Sequence, residues 1–222
     1  MRKRPEEVIA EVFKTNDAFV RGRGEDYFKS HLEVQRPEIT LLTCSDSRVQ
    51  PSILSEEMID KVFVIRNIGN QLENSAGSVD YGIFHLQTPL LMVLGHVNCG
   101  AVKAFIEGYA DEPESIRCEL DHLCIPVGRV LREGKEGREL YLKAVEENVN
   151  WQVRIALERY GVLIKRGRLA VVGAVYDFAN AYGRGYGRIV VINVNGITGR
   201  ERILELPALS LLPEGLKEKV VV

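Results

Sequence analysis

Apolar positions along the chain follow two rhythms. Short runs rich in β-branched residues at 38–43, 62–65, 90–94, 169–175 and 188–194 predict five strands. Between them the spacing turns helical. Residues 6–20 carry Val8, Ile9, Val12, Phe13 and Phe19 among charges, until Arg21-Gly22-Arg23-Gly24 breaks the pattern. Residues 25–32 predict a second short helix, and Met58 to Asp60 lead into the second strand. Helices are also predicted over 75–88, with Val79, Ile83, Phe84 and Leu86 apolar, and over 101–109. From 113 to 165 the signal is helical almost throughout, with breaks expected near Pro126 and at Gly134-Lys135-Glu136-Gly137. Val145, Val149, Val153 and Leu157 form a stripe there that predicts a core-facing side. Residues 207–211 predict a last short helix.

Strands alternating with helices imply an α/β fold. We expect a mostly parallel central sheet of about four strands plus an antiparallel fifth, flanked by helices. Residues 1–34 would form a helical arm and 35–222 the core of a single domain. Gly183-Arg184-Gly185-Tyr186-Gly187 resembles a phosphate loop only loosely. A strand rather than a helix follows it, so it is read as a hairpin turn.

Composition narrows the picture little. The 222 residues suffice for one domain with a sizeable core. A net charge of −2, from 29 basic and 31 acidic residues, argues against nucleic acid or an anionic membrane as partner. Met1-Arg2-Lys3-Arg4 is basic but lacks the apolar stretch of a signal peptide, and no apolar run approaches the ~18 residues of a membrane span. The expected location is the cytoplasm. Four cysteines in a reducing compartment would be free thiols, either small core residues or ligands.

Position separates those two uses. Cys44 follows the first strand, and Gly95-His96-Val97-Asn98-Cys99-Gly100 follows the third. Open α/β sheets place their chemistry at such strand ends. Zinc takes thiolate and imidazole ligands, and catalytic sites use three protein ligands with a fourth position free. Cys44, His96 and Cys99 are that set. Asp46, two residues from Cys44, can orient water at the metal, and Arg48 can hold Asp46 in a charge-assisted pair. Cys118, His122 and Cys124 also have ligand types at short spacing. Cys124 does not share their helical face, so ordinary helix packing is expected there.

Cys44-Ser45-Asp46-Ser47-Arg48-Val49, Arg66-Asn67 with Gly69-Asn70, and Gly95-His96-Val97-Asn98-Cys99-Gly100-Ala101 resemble the motifs of the β-class carbonic anhydrases. The likeness is close over residues 35–105 and looser beyond. The family commonly has serine where Val97 stands. The resemblance implies one Zn2+ per subunit on Cys44, His96 and Cys99, the Asp46–Arg48 dyad, and reversible hydration of CO2 to bicarbonate by water activated at zinc. Gln35, Phe63 and Tyr81 match the substrate-pocket residues of the plant-like subgroup. Leu41 stands where the bicarbonate-inhibited subgroup has tryptophan, so the uninhibited form is expected. The resemblance also implies a homodimer or homotetramer whose pocket draws on both subunits. A hydrolase of CS2 or COS on the same zinc framework, and a zinc-binding homologue without turnover, stay open on these residues.

Overall fold

The computed structural model describes residues 2–55, 57 and 59–222; Met58, in the lead-in to the second strand, lies outside them. The chain divides into two compact units, Met1–Gln35 and Arg36–Val222. In the first, α1 spans Pro5–Arg21 and α2 spans Glu25–Lys29. Pro5 opens α1, where its missing N–H costs nothing, and the Glu7 carboxylate accepts the Arg4 N–H at 2.8 Å. Gln35 is the last residue of this unit and is exposed.

The second unit is built on one sheet of order β2-β1-β3-β4-β5-β6. Strands β1 (Ile39–Cys44), β2 (Val62–Asn67), β3 (Leu90–His96) and β4 (Ala170–Asp177) run parallel. β5 (Arg188–Val194) is antiparallel to β4, as the hairpin reading expects. β6 is a two-residue strand, Ile197–Thr198, too short to leave a pattern in the sequence. The chain leaves β1 for β2 on one side, then returns to place β3 on the other. The ends of β1 and β3 therefore flank a topological switch point.

The long helical region resolves into α5 (Glu114–Asp121), α6 (Cys124–Leu131) and α7 (Gly137–Lys165). The first break falls at His122-Leu123 rather than at Pro126. Pro126 sits in the first turn of α6, where no intrahelical N–H bond is lost. α7 buries Val145, Val149 and Val153 against β3 and β4. Glycine makes that approach possible: a Cβ on Gly95 would lie 2.6 Å from Val149 Cγ2, and one on Gly173 would lie 2.9 Å from both Val149 and Val153.

Two expectations about helices are corrected. Residues 75–88 are not one α-helix: a 3-10 turn (Glu73–Ser75) leads into α3 (Ala76–Asp80) and then a π-helical turn (Tyr81–His85) closed by Leu86 N–H to Tyr81 O at 2.9 Å. Gly82 lies so close to β1 that a Cβ would meet Thr40 Oγ1 at 2.2 Å, which favours a local widening over a regular helix. The last predicted helix is only a 3-10 turn, Pro207–Leu209. It is flanked by α8 (Arg200–Leu204) and α9 (Glu214–Val220), whose charged sequences gave no apolar rhythm. The helix predicted over 101–109 is α4, Gly100–Glu107.

Candidate metal centre

β1 ends at Cys44 and β3 ends at His96. The chain then turns through Asn98, at φ +54°, a left-handed conformation that asparagine tolerates better than most residues. Cys99 is the N-cap residue of α4, so its thiol sits at the start of that helix. This strand–turn–helix joint gives His96 and Cys99 one local frame. Adjacent parallel pairing of β1 and β3 brings in Cys44. All three are buried, and their donor atoms lie within 4.8 Å of one another. Tetrahedral zinc, with bonds of ~2.3 Å to sulfur and ~2.0 Å to nitrogen, needs ligand atoms roughly 3.5–3.8 Å apart, so the cluster is of the right size.

The chemistry of the three donors also fits a cation. The Val97 carbonyl lies 2.9 Å from His96 Nδ1, so Nδ1 carries the proton and donates. Nε2 then presents a bare lone pair. It is fully buried and has no hydrogen-bond partner among the described residues, a costly state that a metal would relieve. The Cys99 thiol hydrogen-bonds Cys44 and brings the Cys44 pKa down to about 4 against the opposing effect of burial. The same bond, with burial, pushes Cys99 up. One sulfur is thus a ready thiolate, and a cation would compete for the proton left on the other.

Asp46 stands at the rim. Its Oδ2 is 3.8 Å from His96 Nε2. Arg48 grips both oxygens: Nε to Oδ1 at 2.9 Å and Nη2 to Oδ2 at 2.6 Å, with the Arg48 backbone N–H adding 2.9 Å to Oδ1. These bonds hold the Asp46 carboxyl well below the usual carboxylate range. Arg48 is itself fixed by the Asn98 carbonyl at 3.1 Å and lies 4.8 Å from the centre of the Phe178 ring. Phe178 also stacks on His96, ring centres 6.0 Å apart.

Two contributors lacked a signal in sequence. Phe178 lies just past β4, and only the pairing of His96 with Tyr176 brings it to the site. Arg66 ties down the 44–49 loop by donating to the carbonyls of Cys44 (3.1 Å), Asp46 (2.7 Å) and Val49 (2.7 Å). Its membership of a motif gave no hint of this role.

Two other candidates lie elsewhere in the second unit. Phe63 and Tyr81 meet each other, with ring centres 5.9 Å apart. Phe63 is four residues before Asn67, the β2 partner of Cys44, a separation of roughly 13 Å along a strand. Within one chain they do not reach the cysteine–histidine cluster. Gln35 belongs to the N-terminal unit. Cys118 and Cys124 are exposed free thiols, and among the described residues the one group of three or more that could hold a metal is Cys44, His96 and Cys99. No described helix is long and apolar enough to cross a membrane.

Comparison with known proteins agrees with this geometry. The family model for carbonic anhydrase matches residues 39–183. A carbonic anhydrase of Mycolicibacterium smegmatis is 32% identical over 179 residues, spanning 74% of this chain and 85% of that protein. Carbonic anhydrase 2 of Mycobacterium tuberculosis is 28% identical over 196 residues, 84% of this chain and 92% of the relative. Among solved structures, the Coccomyxa β-carbonic anhydrase in complex with acetazolamide superposes with a TM-score of 0.66 at 27% identity, covering 90% of each chain. A tetrameric β-carbonic anhydrase of Sordaria macrospora has the same fold, with a TM-score of 0.72 at 22% identity over 84% of this chain and 98% of its own. The match runs from the first strand of the sheet to the connection after the fourth, through both strand ends that meet at the cluster, and the chain belongs to the carbonic anhydrases, in their β class.

Proposed function

We propose that this chain catalyses the reversible hydration of carbon dioxide to bicarbonate and a proton, with one zinc ion held by Cys44, His96 and Cys99. The observation that carries the reading is the buried His96 Nε2, without a hydrogen-bond partner among the described residues, within 4.8 Å of two cysteine sulfurs and beside a carboxylate that a guanidinium has pinned. Zinc there would supply Lewis acidity, making water acidic enough to react near neutral pH. The protein's own groups do the rest. Asp46 stays ionised throughout the working pH range, so it accepts a hydrogen bond from the reacting water and aims it. Arg48 takes both Asp46 oxygens, which supports a resting state in which the carboxylate is an acceptor and not a fourth ligand. Phe178 keeps one wall of the site apolar and limits how far Arg48 can move.

Gln35, Phe63 and Tyr81 would bind substrate by joining the cluster of a second copy, in a homodimer or homotetramer. The support for Phe63 and Tyr81 is their contact with each other and the separation of Phe63 from Cys44 along the sheet of their own chain. Leu41 is buried among Val49, Leu94 and Ala174, an apolar setting that supports the plant-like form without bicarbonate inhibition. Free thiols at all four cysteines accord with a cytoplasmic location. Stopped-flow CO2 hydration, run beside zinc analysis, tests the core of this. We expect one zinc per chain and turnover that falls by at least ~100-fold in Asp46→Ala, within the range for losing a positioned acid–base group. Zinc binding without hydration would overturn the assignment.

A further inference from the structure

Three amide side chains lie deep in the second unit: Gln71, Asn148 and Gln152, exposed to 2%, 2% and 1%. Asn148 and Gln152 are one turn apart on α7, beside the valine stripe. Their hydrogen bonds close on each other and on one loop. Gln71 Nε2 donates to Gly69 O (2.8 Å) and to Asn148 Oδ1 (3.2 Å), and Asn148 Nδ2 also donates to Gly69 O (2.9 Å). Gln152 Nε2 donates to Gln71 Oε1 (2.7 Å) and Asn148 Oδ1 (3.1 Å), and its Oε1 accepts the Leu72 N–H (2.9 Å). Each amide oxygen and each amide nitrogen is engaged, so the network has one consistent orientation.

An apolar core would be cheaper to build, so three buried amides call for a reason. The shared target is Gly69. Its φ is +80°, and a Cβ there would lie 3.1 Å from Gln71 Nε2, so the backbone itself fills the space at this corner. Gly69 sits beside the ligands: it is two residues past Asn67, the β2 partner of Cys44, and a Cβ on it would lie 3.5 Å from the Cβ of Ala101, two residues past Cys99. A backbone hydrogen bond from Gly69 is also among the effects that lower the Cys44 pKa. A glycine left to itself can rotate freely on either side of its Cα. Two donors on its carbonyl hold the peptide that follows, and the pairing of Asn67 with Cys44 holds the strand that precedes, which leaves the Gly69 N–H between them little freedom.

We propose that Gln71, Asn148 and Gln152 are positioning residues for the metal centre: they clamp the Gly69 carbonyl so that the Gly69 N–H stays aimed at the Cys44 sulfur. The bond draws charge from the sulfur and fixes its direction, which sets how strongly Cys44 holds a cation. The inference rests on Cys44 being a ligand, and its test separates the two.

The variant Gln71→Met/Asn148→Leu/Gln152→Met replaces all three amides with apolar groups of similar shape; the Leu72 N–H and the Gly69 carbonyl lose their side-chain partners, so some loss of stability is expected with it. Folding is checked by far-UV circular dichroism and denaturant titration, zinc affinity by chelator competition, and the sulfur–metal bond by the near-ultraviolet thiolate-to-cobalt band of the Co2+-loaded protein. We expect zinc affinity to fall about 10–100-fold, the effect typical of losing a group that supports a ligand, with a shifted cobalt band. In wild-type protein loaded with 113Cd, the Gly69 amide proton should show scalar coupling to cadmium and slow exchange. Unchanged affinity and an unchanged band in the folded variant would overturn the proposal. So would a wild-type Gly69 amide that is uncoupled and exchanges freely, a measurement that decides the matter even if the variant does not fold. Wild-type protein that takes up neither zinc nor cadmium would overturn the ligand assignment together with this inference.

Discussion

Gly95 stands one residue before His96 and faces α7, so adding a single methyl group there tests how the site is held. In Gly95→Ala the new Cβ would lie 2.6 Å from Val149 Cγ2 and 3.3 Å from Val145 Cγ1. Ordinary carbon contacts are ~3.5–4.0 Å, so the helix and strand must part by roughly 1 Å, or Val149 must leave its rotamer. Overpacking of this kind costs about 1–3 kcal/mol. Reduced freedom of the unfolded chain returns about 0.4–1 kcal/mol, leaving a net loss of about 1–2 kcal/mol. For a chain of this length that lowers Tm by roughly 2–8 °C at fixed protein concentration. Val149→Ala alone removes two methyl groups and leaves a cavity, a loss of about 2–3 kcal/mol. Combining the two lets the new methyl enter the space vacated by the old ones. The double variant should therefore lose at least ~1 kcal/mol less than the sum of the singles. Because β3 continues directly into His96, zinc affinity should weaken in Gly95→Ala and recover in the double variant. Denaturant unfolding and chelator competition read the two effects. A Gly95→Ala protein as stable as wild type, or strictly additive losses, would refute this account of why α7 lies so close to the sheet.

Arg48→Ala releases Asp46, whose carboxyl pKa then climbs back toward the ordinary range, so CO2 hydration should fall more steeply on the acid side in the variant than in wild type. The same depression has a stability consequence in the metal-free protein. A lowered folded-state pKa stabilises above the unfolded value of ~3.9 and ceases to as pH falls through the folded value, so the gap between wild type and Arg48→Ala should be full at neutral pH and shrink under acid; denaturant titration at the two extremes reads it, and a gap independent of pH would contradict the pair. Zinc removal by a chelator should abolish hydration and leave the fold in place, because the core is a large apolar cluster in which Cys44 and Cys99 are two members among many, and zinc readdition should restore turnover; loss of far-UV dichroism on chelation would refute this. Mixing inactive Asp46→Ala chains with inactive Phe63→Ala/Tyr81→Ala chains, with subunit exchange allowed, should restore part of the activity if each site draws on two chains; no recovery after proven exchange would place Phe63 and Tyr81 outside the substrate pocket. Hydration should be unaffected by added bicarbonate beyond simple product inhibition, and sigmoidal inhibition would count against the reading of Leu41.

The sequence made the sheet legible because its strands are short, apolar and bounded by turn residues, as in Leu90–His96 between Pro89 and Asn98. It concealed β6 and the π-helical turn, since two residues carry no period and a widened turn still shows apolar residues three and four apart. A similar division runs through the site. Cys44, His96, Cys99, Asp46 and Arg48 are residue types whose chemistry is conspicuous at strand ends. The groups that hold them are ordinary ones: an arginine bonded to three carbonyls, a phenylalanine past β4, and two amides on a long helix. Asn148 and Gln152 bond to Gln71, 77 and 81 residues distant, which no local pattern encodes. One clue was present nonetheless. The stripe Val145, Val149, Val153 recurs every four residues, and Asn148 and Gln152 repeat at the same interval immediately beside it. A polar pair in step with a buried stripe cannot both face solvent and keep that register, so it must find partners inside. In an α/β sheet the polar groups available at that depth are those of the strand-end loops, which is where ligands lie. Polar residues in register with a core-facing stripe are therefore a reason to look for what they hold in place.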